Sequence, residues 1–341
     1  MNPPTRLLFV LFPALTMSLG WGLRGFIGGG SFGAMIPGAL VALALCLLLE
    51  RDDAEAGLIA AFGAVGVGFG GQETYGQTVG FILRPETFWW GLAGLSLKGA
   101  VWGFLGGAML GAILGPQRPS LRDAAIGLAL LPLATWVGWR LVDEPKLLYF
   151  SDPINKPRGE VWAGLLLGAL VWLAWLALRG VGRTPWRFAL FGAAGGLGFG
   201  AGGAIMSLGI NVLGPPWYDW WKVMELVFGF CFGALLGLCA LVYRDLLRDG
   251  GQQPPAKPWA ANPWLQFLLA AILIACVFEA RRLLPLRMTY SVVGAALLWI
   301  ALRWPRFAWH IAITLTFFAV ARDLVQFAGV RQFGSPPVAW T

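Results

Sequence analysis

Hydrophobic residues run along this chain in long blocks, and polar residues are confined to the gaps between them. Each block ends at a charge or a Pro/Gly turn, and a helix needs about 20 residues to cross a bilayer. The pattern predicts eleven spans: 7–24, 31–49, 57–82, 90–115, 123–141, 161–178, 187–213, 223–243, 261–280, 288–303 and 307–325. The last two are short. Either Arg287, Arg303, Arg306 and Arg322 snorkel to the interfaces, or one of the two is re-entrant. The first block has the shape of a signal peptide, with Arg6 ahead of the apolar Leu7–Leu19. No A-x-A site follows, and its apparent copy lies inside the chain, so it is read as a transmembrane helix.

The blocks repeat. Gly38-Ala39-Leu40-Val41-x-Leu43-Ala44 recurs as Gly168-Ala169-Leu170-Val171-x-Leu173-Ala174. Gly66-x-Gly68-Phe69-Gly70 recurs as Gly196-x-Gly198-Phe199-Gly200. Gly103-Phe104-x-x-Gly107-Ala108-x-Leu110-Gly111 recurs as Gly229-Phe230-x-x-Gly233-Ala234-x-Leu236-Gly237. Pro13, Thr16 and Gly20-Trp21 match Pro132, Thr135 and Gly138-Trp139 more loosely. Single matches are cheap in Gly/Ala/Leu-rich sequence, about one position in eight. Four segments in the same order are not. A weaker third copy places Gly294-Ala295-x-x-Leu298-Trp299 on the second span and Arg322-Asp323 where Gln72-Glu73 fall. The predicted fold is thus an all-α polytopic transmembrane bundle of tandem parallel repeats, arranged 4 + 4 + 3. Repeat 1 is 1–122. Repeat 2 is 123–250 and carries a polar insertion at 142–160. Partial repeat 3 is 251–341, entered through the plain Pro/Gly-rich connector 249–260.

Composition agrees with the pattern. The 341 residues are 58% hydrophobic and only 12% charged, against about 25% charged in a soluble domain. The net charge of +8 suits loops on anionic headgroups. Nucleic acid is excluded as a partner, because the arginines form no patch. Membrane lipid and a small-molecule solute are the expected partners, and a homo-oligomer is compatible with the glycine-rich faces. The four cysteines lie inside apolar blocks without metal or disulfide spacing. No metal and no cofactor are expected. Basic residues weigh toward the loops after spans 4, 6, 8 and 10, which predicts a cell-membrane protein with a cytoplasmic N-terminus.

Polar groups inside the blocks are the candidates for function, because they are costly in lipid. Gln72, Glu73, Tyr75 and Gln77 follow the glycines of span 3, and copy two has Gly202-Gly203-Ala204-Ile205-x-Ser207 there, with no charged group. That asymmetry suits a cavity with one liganding wall. Arg24, Arg140 and Arg281/Arg282 end the first span of each copy, where a guanidinium fork suits carboxylate or phosphate. The ordinary alternative is helix-end arginines on lipid phosphate. Lys98 invites a buried pair with Glu73 or Glu225. The insertion, with Lys156 and Arg158, is either a solvated loop or a lid. The substrate-binding set is therefore Arg24, Gln72, Glu73, Tyr75, Gln77, Lys98, Arg140, Lys156 and Arg158, with no catalytic residue assigned. Gly29-Gly30-Ser31-Phe32-Gly33 fits G-x-S-x-G only formally, and its base would have to be the single histidine, His310. There is no HExxH and no P-loop. Three readings follow: a secondary transporter or channel-like permease for a small polar, anionic solute; a membrane enzyme on a lipid or lipid-linked substrate; and an accessory subunit with Glu73 fully paired.

Overall fold

In the computed structural model, residues 3–26, 29–213, 219–248, 262–283 and 288–321 are described, and every regular element among them is helical. The first third of the chain forms α1 (Pro3–Phe26), α2 (Gly30–Leu48), α3 (Asp53–Gly70), α4 (Gly76–Ile82) and α5 (Phe88–Leu114). Then come α6 (Leu121–Gly138), α7 (Trp162–Leu178), α8 (Thr184–Gly196), α9 (Gly198–Leu208), α10 (Trp220–Val242) and the short α11 (Arg244–Arg248). The last third holds α12 (Pro263–Leu283), α13 (Thr289–Arg303) and α14 (Phe307–Trp309), the last continuing through a π-helical stretch His310–Leu315. Two more π-helical turns, Trp139–Asp143 and Gly209–Leu213, extend α6 and α9.

Among the described residues, seven helical segments are long and apolar enough to cross a membrane. Four shorter apolar ones, Glu55–Gly70, Trp162–Leu178, Thr289–Arg303 and Phe307–Ala321, accompany them. Leu15, Leu19, Leu47, Leu133, Leu190 and Phe267 stand exposed on the outer faces. Apolar surface on that scale belongs against lipid rather than water. The protein is a helical membrane protein.

Helix ends are closed by local chemistry. Asp52 caps α3 by accepting from the Glu55 N–H, Ser120 caps α6 and Asp219 caps α10. Helix faces meet through glycine. On α5, Gly99, Gly103 and Gly107 lie directly on the backbone of α8 at Gly196, Gly192 and Phe188. On α10, Gly229, Gly233 and Gly237 lie on α1 at Ser18, Pro13 and Phe9 in the same way. Without a hydrophobic drive in lipid, such close backbone approach is what holds helices together.

Span 3 is not one helix. It breaks at 71–75 between α3 and α4. The last turn of α3 tightens into i→i+3 bonds, Gly71 to Gly68, Gln72 to Phe69 and Glu73 to Gly70. Gly71 has the backbone of Gly30 and Ser31 against it, leaving no room for a Cβ. The carbonyls freed by the break are taken up by side chains. Trp102 Nε1 donates to Val67 O at 2.6 Å, and Lys98 Nζ donates to Thr74 O at 2.8 Å. Broken backbone at this depth survives only with such partners. Span 7 has a milder break, at Leu197 between α8 and α9.

At the far end of α3, Arg51 and Arg118 clamp Glu55, at 2.9 and 2.5 Å. Arg51 also donates to the terminal carbonyls Leu114 O (2.8 Å) and Leu247 O. This closed knot holds the ends of α3, α5 and α11 together.

Candidate functional site

Two charged networks meet at the break in span 3. Its residues Glu73 and Tyr75, two apart, belong to one each.

The first network surrounds Lys98, which lies ten residues into α5, roughly 15 Å along the helix. Its ammonium donates to Thr74 O (2.8 Å), Thr78 Oγ1 (2.9 Å) and Glu160 Oε1 (2.8 Å). Those three bonds use all its protons. Glu73 Oε1 is a fourth neighbour at 3.1 Å, and it is buried without a hydrogen bond. The other oxygen, Oε2, accepts from the Val161 N–H at 2.6 Å. Asp143 accepts from Ala163 N and Gly164 N. The N-terminus of α7 thus has its free N–H groups taken by carboxylates from two other elements, where the helix dipole favours negative charge.

The second network surrounds Arg24 near the end of α1. Its guanidinium lies over the rings of Trp21 (4.8 Å), Trp102 (5.3 Å) and Tyr75 (5.7 Å). Nη1 donates to Tyr75 Oη at 2.9 Å. Glu225 Oε1 stands 3.9 Å from Nη1 and 3.3 Å from Tyr75 Oη. Glu225 also accepts from Trp221 Nε1 and Lys222 Nζ. The aromatic wall continues through Phe199, 5.0 Å from Tyr75, and Phe228. Arg24 is 3% exposed, and two donors in this cluster, Arg24 Nε and Trp21 Nε1, are buried without an acceptor.

The insertion is docked rather than solvated along its whole length. Phe150, Ser151 and Glu160 are buried, and Phe150 fills the space left by Gly94 on α5. Glu160 accepts from Phe150 N, Ser151 Oγ and Lys98. Thr78 donates to Phe150 O. Gln77 spans the outer part, donating to Lys156 O and accepting from Asp152 N. The tip carries the exposed Ile154. Asp152 is closed on itself: its bonds to the Asn155 side chain and to the Asn155 and Ile154 N–H groups hold its carboxyl below the usual range. Replacing Gln77 with Ala removes both outer bonds, each worth about 0.5–1.5 kcal/mol. We expect Gln77→Ala to hasten proteolytic cutting between 152 and 158, with the helices left intact.

A groove of ≈ 690 Å³ opens between α4, residues 152–156, α9 and the start of α10. Gln77, Arg84, Lys156 and Trp221 line it, and Trp221 is shared with the Arg24 network.

Of the residues singled out by sequence, Arg24 and Tyr75 share one network and Glu73 and Lys98 the other. Gln77 and Lys156 join at the loop. Gln72 faces α13, exchanging two bonds with Ser291. Arg140 stands apart, exposed and ion-paired with Glu144 on its own helix. Arg158 is exposed, and its backbone exchanges bonds with Tyr149 Oη. Of the two partners expected for Lys98, Glu73 is present and Glu225 is not, because Glu225 is held by Lys222 and Trp221. Glu160 takes that place. The side chains of Arg281 and Arg282, and all of Arg287, Arg322 and Asp323, lie outside the described residues. His310 pairs with Thr314. Sequence reasoning passed over Glu160, Trp21, Trp102 and Trp221. The available signal for Glu160 was a carboxylate one residue before an apolar block.

Compared with known proteins, the chain matches no family model, no curated protein and no solved structure.

Proposed function

We propose that this membrane protein is a secondary transporter or channel-like permease for a small anionic solute, with Arg24 as its anion-binding group. The observation that carries this is the pair of buried donors without acceptors, Arg24 Nε and Trp21 Nε1. An unmade hydrogen bond from a buried donor costs about 1–3 kcal/mol, and an acceptor entering this aromatic-walled cluster would relieve it. Other such donors, Arg51 Nε, Trp172 Nε1 and Arg244 Nε among them, lie outside this cluster. The groove beside Trp221, lined by Arg84 and Lys156 together with Asp152 and Asp219, is the approach. Tyr75, Gln77, Glu73, Lys98 and Gln72 act around it through the broken segment. Arg140 and Arg158 serve the outer surface in this reading.

The eleven apolar blocks then all cross or enter the bilayer, in the 4 + 4 + 3 repeat order, with the N-terminus cytoplasmic in a cell membrane. Several features support the repeats. α1–α2 and α6–α7 are both packed hairpins. Both third spans break beside the matched glycine motif. The matched rings Phe69 and Phe199 each meet a tyrosine of another copy, Tyr290 and Tyr75. The copies also diverge, since α2 packs along α3 while α7 leaves α8 for α5.

A second reading, an enzyme acting on a lipid, has one observation in its favour. Phe81, Leu83, Met206 and Ile210 give the groove an apolar lining beside the charged Arg84, Lys156, Asp152 and Asp219.

The test is thermal stabilisation of the purified protein by carboxylates, phosphates and sugars. A ligand at 100 times its Kd stabilises by about 2.7 kcal/mol. One anion class should raise the melting temperature of the wild type, and Arg24→Gln should abolish the shift. Anions that act equally on both proteins, or on neither, sink the permease reading. A response only to anionic amphiphiles favours the lipid reading.

A further inference from the structure

We infer that Glu73 is a proton-binding carboxyl, and that the break in span 3 carries one exchangeable proton. The permease reading adds one consequence, proton-coupled anion movement, but the proton site itself does not depend on that reading.

The charges around Glu73 can be counted element by element. Lys98 faces it from α5 and Glu160 from the end of the insertion, while Asp143, from the turn after α6, shares the N-terminus of α7 with it. Two carboxylates thus share one ammonium, and the third lies at the same helix end as Glu73. The N-terminus of α7 adds about half a positive charge. More than one negative charge remains uncompensated in a region with almost no exposure, where charge is costly. Across Tyr75 stand Arg24, Lys222 and Glu225, with a net charge of the opposite sign. The broken segment therefore joins an acidic network to a basic one.

Geometry picks the carboxylate. Asp143 has two backbone donors. Glu160 has Lys98, Ser151 and the Phe150 N–H. Glu73 has one donor, on Oε2. Its Oε1 is the only carboxylate oxygen among the described residues that is buried without a hydrogen bond. An added proton forms an O–H bond at Oε1 and removes one negative charge. That relieves the repulsion between Glu73 and Glu160, whose Oε1 atoms both contact the same ammonium. Oε1 of Glu73 accepts no hydrogen bond and has only the Lys98 ion pair, so it is the oxygen free to take the proton.

Coupling follows from position. Glu73 and Tyr75 sit on one short non-helical stretch, and Tyr75 holds Arg24 at 2.9 Å. A proton lost or gained at Glu73 changes its pull on Lys98, which also holds Thr74 O. The carbonyl between the two networks is thus moved by one and felt by the other.

The experiment is infrared difference spectroscopy of the purified protein across a pH titration, with [13C]glutamate labelling to separate Glu73 from Asp143. A protonated-carboxyl band that shifts with the label should fade as pH rises. It should vanish in Glu73→Gln and survive in Glu225→Gln. If Glu73→Gln does not fold, Glu73→Asp serves, because the band must then lose its label shift. No titrating glutamate band in the folded wild type, or one unchanged in the Glu73 variants, overturns the proposal. A second arm adds inorganic phosphate and acetate in weak buffer. Proton uptake on binding, lost in Glu73→Gln, supports the coupling. Binding with no proton uptake overturns the coupling alone. A band that titrates in a protein that binds no anion keeps the proton site and removes the permease.

Discussion

Lys98→Met should be the most damaging single substitution in the site, at about 3–5 kcal/mol. The side chain is fully buried, and its ammonium is the only cation among the described groups that contacts Glu73 and Glu160. Methionine keeps the stem but leaves those carboxylates without their cation. It also abandons Thr74 O, a carbonyl that the break in span 3 has removed from any helix. Removing one partner of a buried pair is worse than removing both. We therefore expect the triple variant Lys98→Met, Glu73→Gln, Glu160→Gln to recover a large part of the loss. Cys46 and Cys239 are buried free thiols and offer the readout. Their labelling by a thiol-reactive dye on heating reports unfolding. An unchanged labelling midpoint for Lys98→Met would show that the network is not what holds the break together.

Much of the fold could be read from the chain, and the reason is length. A block of about 20 apolar residues has few places to be except lipid. The polar cluster of Gln72 and Glu73 after the glycines of span 3 was legible as a place apart, and the chain is non-helical there. The pairing of Lys98 with Glu73 was also legible, since two isolated charges at similar depth attract. Other features were not. A helix that is apolar on every side carries no mark of which face meets which neighbour. Nothing local in α1 says that Arg24 turns to Tyr75 and Glu225, and nothing in α5 says that Trp102 reaches Val67 O. Glu160 was hidden for another reason. It closes a stretch rich in Pro, Asn, Lys and Asp that has the composition of a solvated loop. Only Phe150, an aromatic in that polar setting, hinted that part of the loop is buried. The apparent symmetry of Arg24 and Arg140 misled in the opposite direction, because a matched position in a repeat does not ensure a matched environment. Arg140 meets Glu144 on its own helix, in the open.

Gly103→Leu should disrupt the packing on which both networks stand. A Cβ at this position falls on the Gly192 carbonyl, closer than the 3.0 Å that real Cβ atoms essentially never breach. Gly192 meets Gly103 O in return, and Gly99 and Gly196 repeat the arrangement one turn away. The atoms in the way are backbone, so no side-chain rotation relieves the clash. α5 and α8 have to separate, and overpacking of this kind costs about 1–3 kcal/mol or more. The effect reaches the site directly. α5 carries Lys98 and Trp102, while α9, following α8, carries Phe199, whose ring stands 5.0 Å from Tyr75. We expect Gly103→Leu to lower the thiol-labelling midpoint and also to abolish any anion-dependent stabilisation. Gly80→Ala is the control, since a Cβ there meets nothing within 4 Å. It should leave stability unchanged or raise it by about 0.5–1 kcal/mol, the helical advantage of Ala over Gly. If Gly103→Leu instead keeps both its midpoint and its anion response, the α5–α8 contact is not the frame of the site, and the arrangement of Lys98, Trp102 and Phe199 must be maintained from elsewhere.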